Sequence, residues 1–151
     1  MSWASTSDSE AKTWGVTPRY IWDGEIFNHA NQLITGIDLY WSDQQTDSFS
    51  GTPPALSTIS DVGRDSYGLY LSDEYYMTSQ LILSLGMRHE HVQYDLKQKD
   101  FTGFYTDLDE TISGRENAYS GGLSFVYDGK SSVFLRANRS FRFPLTDELV
   151  E

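Results

Sequence analysis

One eight-residue alternation constrains this chain more than any other feature. In Leu81-Ile82-Leu83-Ser84-Leu85-Gly86-Met87-Arg88, the large apolar residues Leu81, Leu83, Leu85 and Met87 share one parity, while Ser84, Gly86 and Arg88 share the other. Successive side chains of a strand point to opposite faces, so this segment is a strand with one apolar face and one small or polar face. The pattern returns at Leu123-Ser124-Phe125-Val126-Tyr127 and at Val133-Phe134-Leu135-Arg136-Ala137-Asn138. Helices need apolar repeats at three and four, which these segments lack.

Turn-forming residues divide the chain into an all-β, antiparallel up-and-down meander of about six strands. The expected strands are 12–23, 32–43, 64–76, 80–94, 117–127 and 131–142. Pro18 inside the first of them implies an edge or a bulge, because proline cannot donate to a ladder. Residues 1–11 read as loop. Tight turns are expected at Asp23-Gly24, Met77-Thr78-Ser79 and Asp128-Gly129-Lys130, and long polar loops at 44–63 and 95–116. Short turns on one side, long loops on the other and apolar-out strands describe a segment of a transmembrane β-barrel wall, with the loops extracellular and the turns periplasmic. A soluble secreted β-sandwich that binds carbohydrate through exposed Trp and Tyr is the alternative.

Composition narrows the function classes. Only 38% of residues are hydrophobic, yet 15% are aromatic, which suits the interfacial girdles of a barrel. The net charge of −11 opposes binding to phosphate backbones, so no nucleic-acid partner is expected. Without cysteine there is no disulfide framework, thiolate metal site or thiol nucleophile. No run approaches the roughly 18 apolar residues of a membrane helix. Met1-Ser2-Trp3-Ala4 lacks the basic start and apolar run of a signal peptide, so either a leader has been removed or this is an internal piece of a longer chain.

Candidate chemistry is sparse. His89 and His91 sit two apart and could chelate a metal, but their place at a strand end reads as ordinary exposure. Asp107, Asp109 and Glu110 lack the spacing of a calcium loop and read as a solvated acidic loop. Asn138-Arg139-Ser140 fits a glycosylation acceptor by pattern alone. No nucleophile elbow, zinc motif or phosphate-cradling loop occurs, so no enzyme, cofactor or metal is expected. The loop aromatics Phe49, Phe101, Phe104 and Tyr105 are the plausible ligand-facing side chains, since aromatics give contact area at low entropy cost.

Four segments in order resemble the barrel of TonB-dependent outer-membrane receptors. Tyr70-Leu71-Ser72-Asp73-Glu74-Tyr75 is similar to their Y-x-x-D-E-W strand, and Leu81 to Glu90 to their L-x-L-x-L-G-x-R-Y-E strand. Gly122-Leu123-Ser124-Phe125-Val126-Tyr127 fits G-L-x-Y, and Ser140-Phe141-Arg142-Phe143-Pro144-Leu145-Thr146-Asp147-Glu148-Leu149 is similar to S-x-F-R-x-P-x-x-x-E-L. The resemblance covers about residues 12–151. It implies a bacterial outer-membrane location, lipid around the barrel and uptake of a scarce nutrient such as a ferric siderophore, cobalamin or a glycan. It also implies energy from the TonB complex through a plug that this chain lacks. Receptors of this kind have about 22 strands, so the chain is expected to be a slice of a larger barrel.

Overall fold

The computed structural model describes residues 5–104, 106–127 and 131–144. All seven strands found there belong to one antiparallel sheet: β1 Ser5–Val16, β2 Arg19–Ile26, β3 His29–Ser50, β4 Ala55–Tyr76, β5 Leu81–Asp100, β6 Leu108–Val126 and β7 Ser132–Arg139. β1 and β2 occupy one edge position beside β3, and β4 to β7 follow in chain order. The meander therefore holds six positions. No second packed sheet is present among the described residues.

Pro18 explains why the first position is split. The pairing of Val16 with Leu39 and of Arg19 with Gly36 keeps one register across Thr17-Pro18, so there is no bulge. Ile37 N–H donates to the Pro18 carbonyl (3.0 Å), but proline has no N–H to return. The strand is interrupted by one missing donor, at an edge, as proline requires.

The long loops are corrected by the structure. β3 runs on to Ser50 and β4 starts at Ala55, so only residues 51–54 connect them, with Gly51 at φ 94° making the turn. Similarly β5 extends to Asp100 and β6 starts at Leu108, so most of 95–116 is strand. The ladder also begins at Ser5, within a stretch read as loop. At the opposite end, Asp23 and Gly24 are not the turn but lie inside β2, paired with Gln32 and Asn31; Phe27 and Asn28 at positive φ form the two-residue hairpin turn, and residues 77–80 form the next turn. The turn at Asp128-Gly129-Lys130 lies outside the described residues, as does the motif from Leu145 onward.

Strands of 19 to 22 residues are far longer than a bilayer needs. At roughly 3.3 Å per residue, β3 and β4 reach about 70 Å. Along them the apolar side chains change face. Near the short turns, Leu69, Leu71, Leu85, Met87, Leu123, Val133 and Leu135 cover one face and stay exposed. Farther up, Val62, Val92, Tyr94 and Leu96 take the opposite face and form the buried cluster, with Leu108 and Phe143 packed on it. The chain leaves the sheet after Arg139 and returns across this second face at Phe141–Pro144.

Aromatic residues mark both ends of the exposed apolar face. Each path descending toward the short turns carries two of them, eight residues apart: Trp14 in β1 and Trp22 in β2, Tyr67 and Tyr75 in β4, and Tyr119 in β6 with Tyr127 just past its end. Even spacing puts both members of a pair on one face. Trp14 also pairs with Trp41 across the ladder, and Trp41 meets Tyr67 edge-on at 6.5 Å.

Candidate functional site

The polar face is built around Arg88. β5 places its guanidinium between neighbouring strands, where Nη1 donates to Asp38 Oδ2 (2.6 Å) and Nε donates to Glu90 Oε2 (2.9 Å). Ser66, buried in β4, donates its hydroxyl to Glu90 Oε1 (2.9 Å). A cation shared by two carboxylates leaves this trio one negative charge in excess.

Small residues make the room this layer needs. A Cβ added at Gly36 would lie 2.5 Å from Tyr70 Oη and 2.8 Å from the Pro18 carbonyl, so Tyr70 lies over bare backbone. Closer to the short turns, Ser84, Gly86, Ser120, Gly122 and Ser124 leave the wall low. Two shallow cavities open there, of about 400 Å³ beside Tyr70, Arg88, Ser120 and Asn138, and about 280 Å³ beside Glu74, Ser84, Gly122 and Arg136.

Above the Arg88 layer stands the buried cluster. Tyr94 donates its hydroxyl to the Pro144 carbonyl (2.6 Å), and Arg64 lies over the Tyr94 ring at 5.8 Å. Phe143 fills the space over Gly114, where a Cβ would sit 2.9 Å from its ring. The returning segment is thus fixed by one hydrogen bond and one aromatic seat.

The two hairpin tips lie at the same end of the sheet. Phe101 N–H donates to the Ser57 carbonyl (2.9 Å), tying the second tip to the base of the first. Asp100 organises the second tip by accepting from the Thr102 hydroxyl (2.7 Å), the Thr102 N–H (3.2 Å) and the Phe104 N–H (2.9 Å). This Asx-type turn, helped by Gly103 at φ 76°, presents Phe104 with 87% of its surface exposed. Phe101 is half exposed with Lys99 over its ring, and Phe49 is half-buried near the first tip. Tyr105 lies outside the described residues.

The remaining candidates take ordinary places, although His89 and His91 lie in the middle of β5 and not at a strand end. His89 Nδ1 contacts Asn117 Oδ1 (2.9 Å), and His91 Nδ1 contacts the Gly114 carbonyl (3.1 Å) while its ring stacks on Tyr67. Asp109 and Glu110 are in β6, not in a loop, and Asp109 faces Lys97 across the ladder. On exposed β1, Lys12 donates to Glu10 (2.8 Å), which holds the Glu10 carboxyl below the usual carboxylate range. Sequence reasoning missed Arg64 and Tyr94. The signal was the change of apolar parity between Met87 and Val92, visible in the residue order.

A single up-and-down sheet with one exposed apolar face, rimmed by aromatics, and one polar face defines a piece of β-barrel wall. The family profile described as TonB dependent receptor-like, beta-barrel matches residues 3–151, and the chain belongs to that family. No curated protein sequence matches it. Among solved structures, the chain is similar to the ferric citrate transporter FecA in its unliganded form (TM-score 0.77, 16% identity, 90% of this chain and 21% of that one). It is also similar to the Ferric-Catecholate import receptor Fiu from E. coli K12 in its open form (TM-score 0.75, 12% identity, 87% and 26%). At these identities the likeness is one of fold. The chain spans about a quarter of the length of these receptors.

Proposed function

We propose that this chain is a wall segment of a bacterial outer-membrane receptor that takes up a scarce nutrient, a ferric chelate in the first instance, with energy from TonB. Its role is binding and passage, not catalysis. The exposed apolar face meets lipid hydrocarbon, the polar face lines the lumen, and the hairpin tips with Phe49, Phe101 and Phe104 reach outward to the ligand.

One observation carries this reading: the aromatic pairs that bound the exposed apolar face. Eight residues span about 26 Å along a strand, or roughly 20 Å of height at a barrel's tilt of about 40°. That suits an apolar band of about 25 Å in an outer membrane thinner than most. A carboxylate inside the band, Asp73, lies near its lower margin and accepts from Asn31 Nδ2 (2.8 Å), so its charge is partnered there. Family membership and the fold shared with iron-chelate importers support the transport role.

The test is uptake by cells. A strain lacking the whole gene should lose accumulation of at least one radiolabelled ferric chelate, and loss of TonB should have the same effect. Unchanged accumulation of every ferric chelate, cobalamin and glycan tried would reject the proposal.

A further inference from the structure

Charge is sorted by strand on the outer side of this sheet. Beyond the upper aromatic residues, the apolar face of β3 and β4 continues into Asp43, Asp61 and Asp65. On β5 to β7 the same face continues instead into His89, His91, Arg115 and Arg139. From Leu81 to Gln93, from Thr111 to Phe125 and from Val133 to Arg139 it carries no carboxylate. A basic patch of this kind stands out in a chain of net charge −11. The register gathers it: Arg139 lies opposite Tyr119, Asn117 opposite His89 and Arg115 opposite His91. Arg115, Arg139, His89 and Asn117 are exposed, and among the described residues neither arginine has an ion pair.

The donors suit a phosphate. Each guanidinium offers a planar fork that binds two phosphate oxygens at once. An amide oxygen can only accept, so His89 Nδ1 donates to Asn117 Oδ1 (2.9 Å), which leaves the Asn117 amide hydrogens for another acceptor. Asn117 and Arg115 stand two and four residues beyond Tyr119, about 5 and 10 Å higher at a barrel's tilt of about 40°. That is head-group depth, not hydrocarbon.

Directly below the patch the apolar face is hollow. Gly121 and Ala137 pair in the next row, where a Cβ added at Gly121 would meet only Leu85 Cδ2, at 3.9 Å. Leu85, Leu123 and Leu135 stand exposed around this hollow.

Resting on the receptor reading above, we infer that Arg115, Asn117 and Arg139, with His89, bind a phosphate-bearing lipid of the outer leaflet. Its phosphate sits on the two guanidinium forks, and the first carbons of an acyl chain fill the hollow at Gly121 and Ala137. A free anion would leave the hollow empty, and an uncharged lipid would leave the forks unpaired. The carboxylates on β3 and β4 repel the same head group, so the lipid is directed to the β5–β7 side.

The experiment titrates the whole receptor, purified in an uncharged detergent, with diphosphoryl lipid A, and reads occupancy of the tightest site by native mass spectrometry. Wild type should hold this lipid more tightly than the same lipid stripped of its phosphates. Arg115→Gln and Arg139→Gln should each weaken binding about fivefold and together about thirtyfold, the scale of one cation near an anionic lipid surface. Gly121→Leu changes no charge, yet it should weaken binding severalfold by filling the hollow. Lys12→Gln removes an outer-face cation on β1 and should change nothing. Full affinity in the double arginine variant overturns the inference, as does displacement of the lipid by equimolar inorganic phosphate, which would make this a free-anion site. Unchanged affinity in Gly121→Leu overturns it too, because a patch acting by charge alone needs no hollow. Should the double variant fail to assemble, the single variants decide, and full affinity in both overturns it. These outcomes are independent of uptake: unchanged chelate accumulation rejects the receptor reading, whereas full lipid affinity in the arginine variants rejects only this one.

Discussion

Arg88 shows how single residues hold this wall together. Its side chain is about one-third exposed, while those of Asp38 and Glu90 are 16% and 12% exposed, so solvent screens the group only partly. Removing the cation strands two carboxylates. Arg88→Met in the whole receptor should therefore destabilise it by on the order of 3 kcal/mol, read from the urea midpoint in lipid vesicles. Adding Asp38→Asn and Glu90→Gln should restore most of that loss, and failure to restore it would show that packing, not charge, is what Arg88 supplies. Gly36→Ala should cost about 1–3 kcal/mol by the same measurement, because the new methyl meets a backbone carbonyl as well as Tyr70. The parity of Arg88 was legible in the sequence. Its partner Asp38 was not, since the two are far apart in the chain and meet only through the strand register.

The elements were legible where their two faces differ in chemistry. Leu81 to Met87 alternates with Ser84 and Gly86, and the strand is where the alternation predicts. From 44 to 50 and from 55 to 61 both faces carry Ser, Thr, Asp or Gln, so alternation carries no contrast and strand reads as loop. What makes these segments strand is their mutual ladder, from Asp43 opposite Gly63 to Ser50 opposite Ala55. The aromatic spacing gives a direct test of depth. In single-tryptophan variants of the whole receptor, Trp14 and Trp22 should both be quenched best by bromines placed near the head groups, and poorly by bromines at the bilayer centre. Strong quenching of either from the centre would misplace the band.

At the scale of the whole molecule, the chain is a sheet with two open sides. β1 and β2 form one edge and β7 the other, each with a row of unpaired backbone groups. Trp14, Val133 and Leu135 are 77%, 65% and 76% exposed on the apolar face, and Phe134 is 74% exposed on the other. Produced alone in detergent-free buffer, the 151-residue chain should elute from size exclusion as oligomers or aggregate. A monodisperse 17.2 kDa species by light scattering, with cooperative thermal unfolding, would contradict the barrel-slice reading. Fold class and topology were legible at this scale because alternation and turn chemistry agree along most of the chain. The reach of the sheet was not.

That reach has a mechanical consequence. β3 and β4 stay laddered from the short-turn end to the tip, with one irregularity at Ser48/Phe49. Such a hairpin behaves as a stiff lever, not as a tether. Bending it at mid-height means breaking cross-strand bonds on both strands together, so a load on its tip is delivered as torque at its base. The residues that feel that torque first are those around Asp38, Gly68 and Arg88.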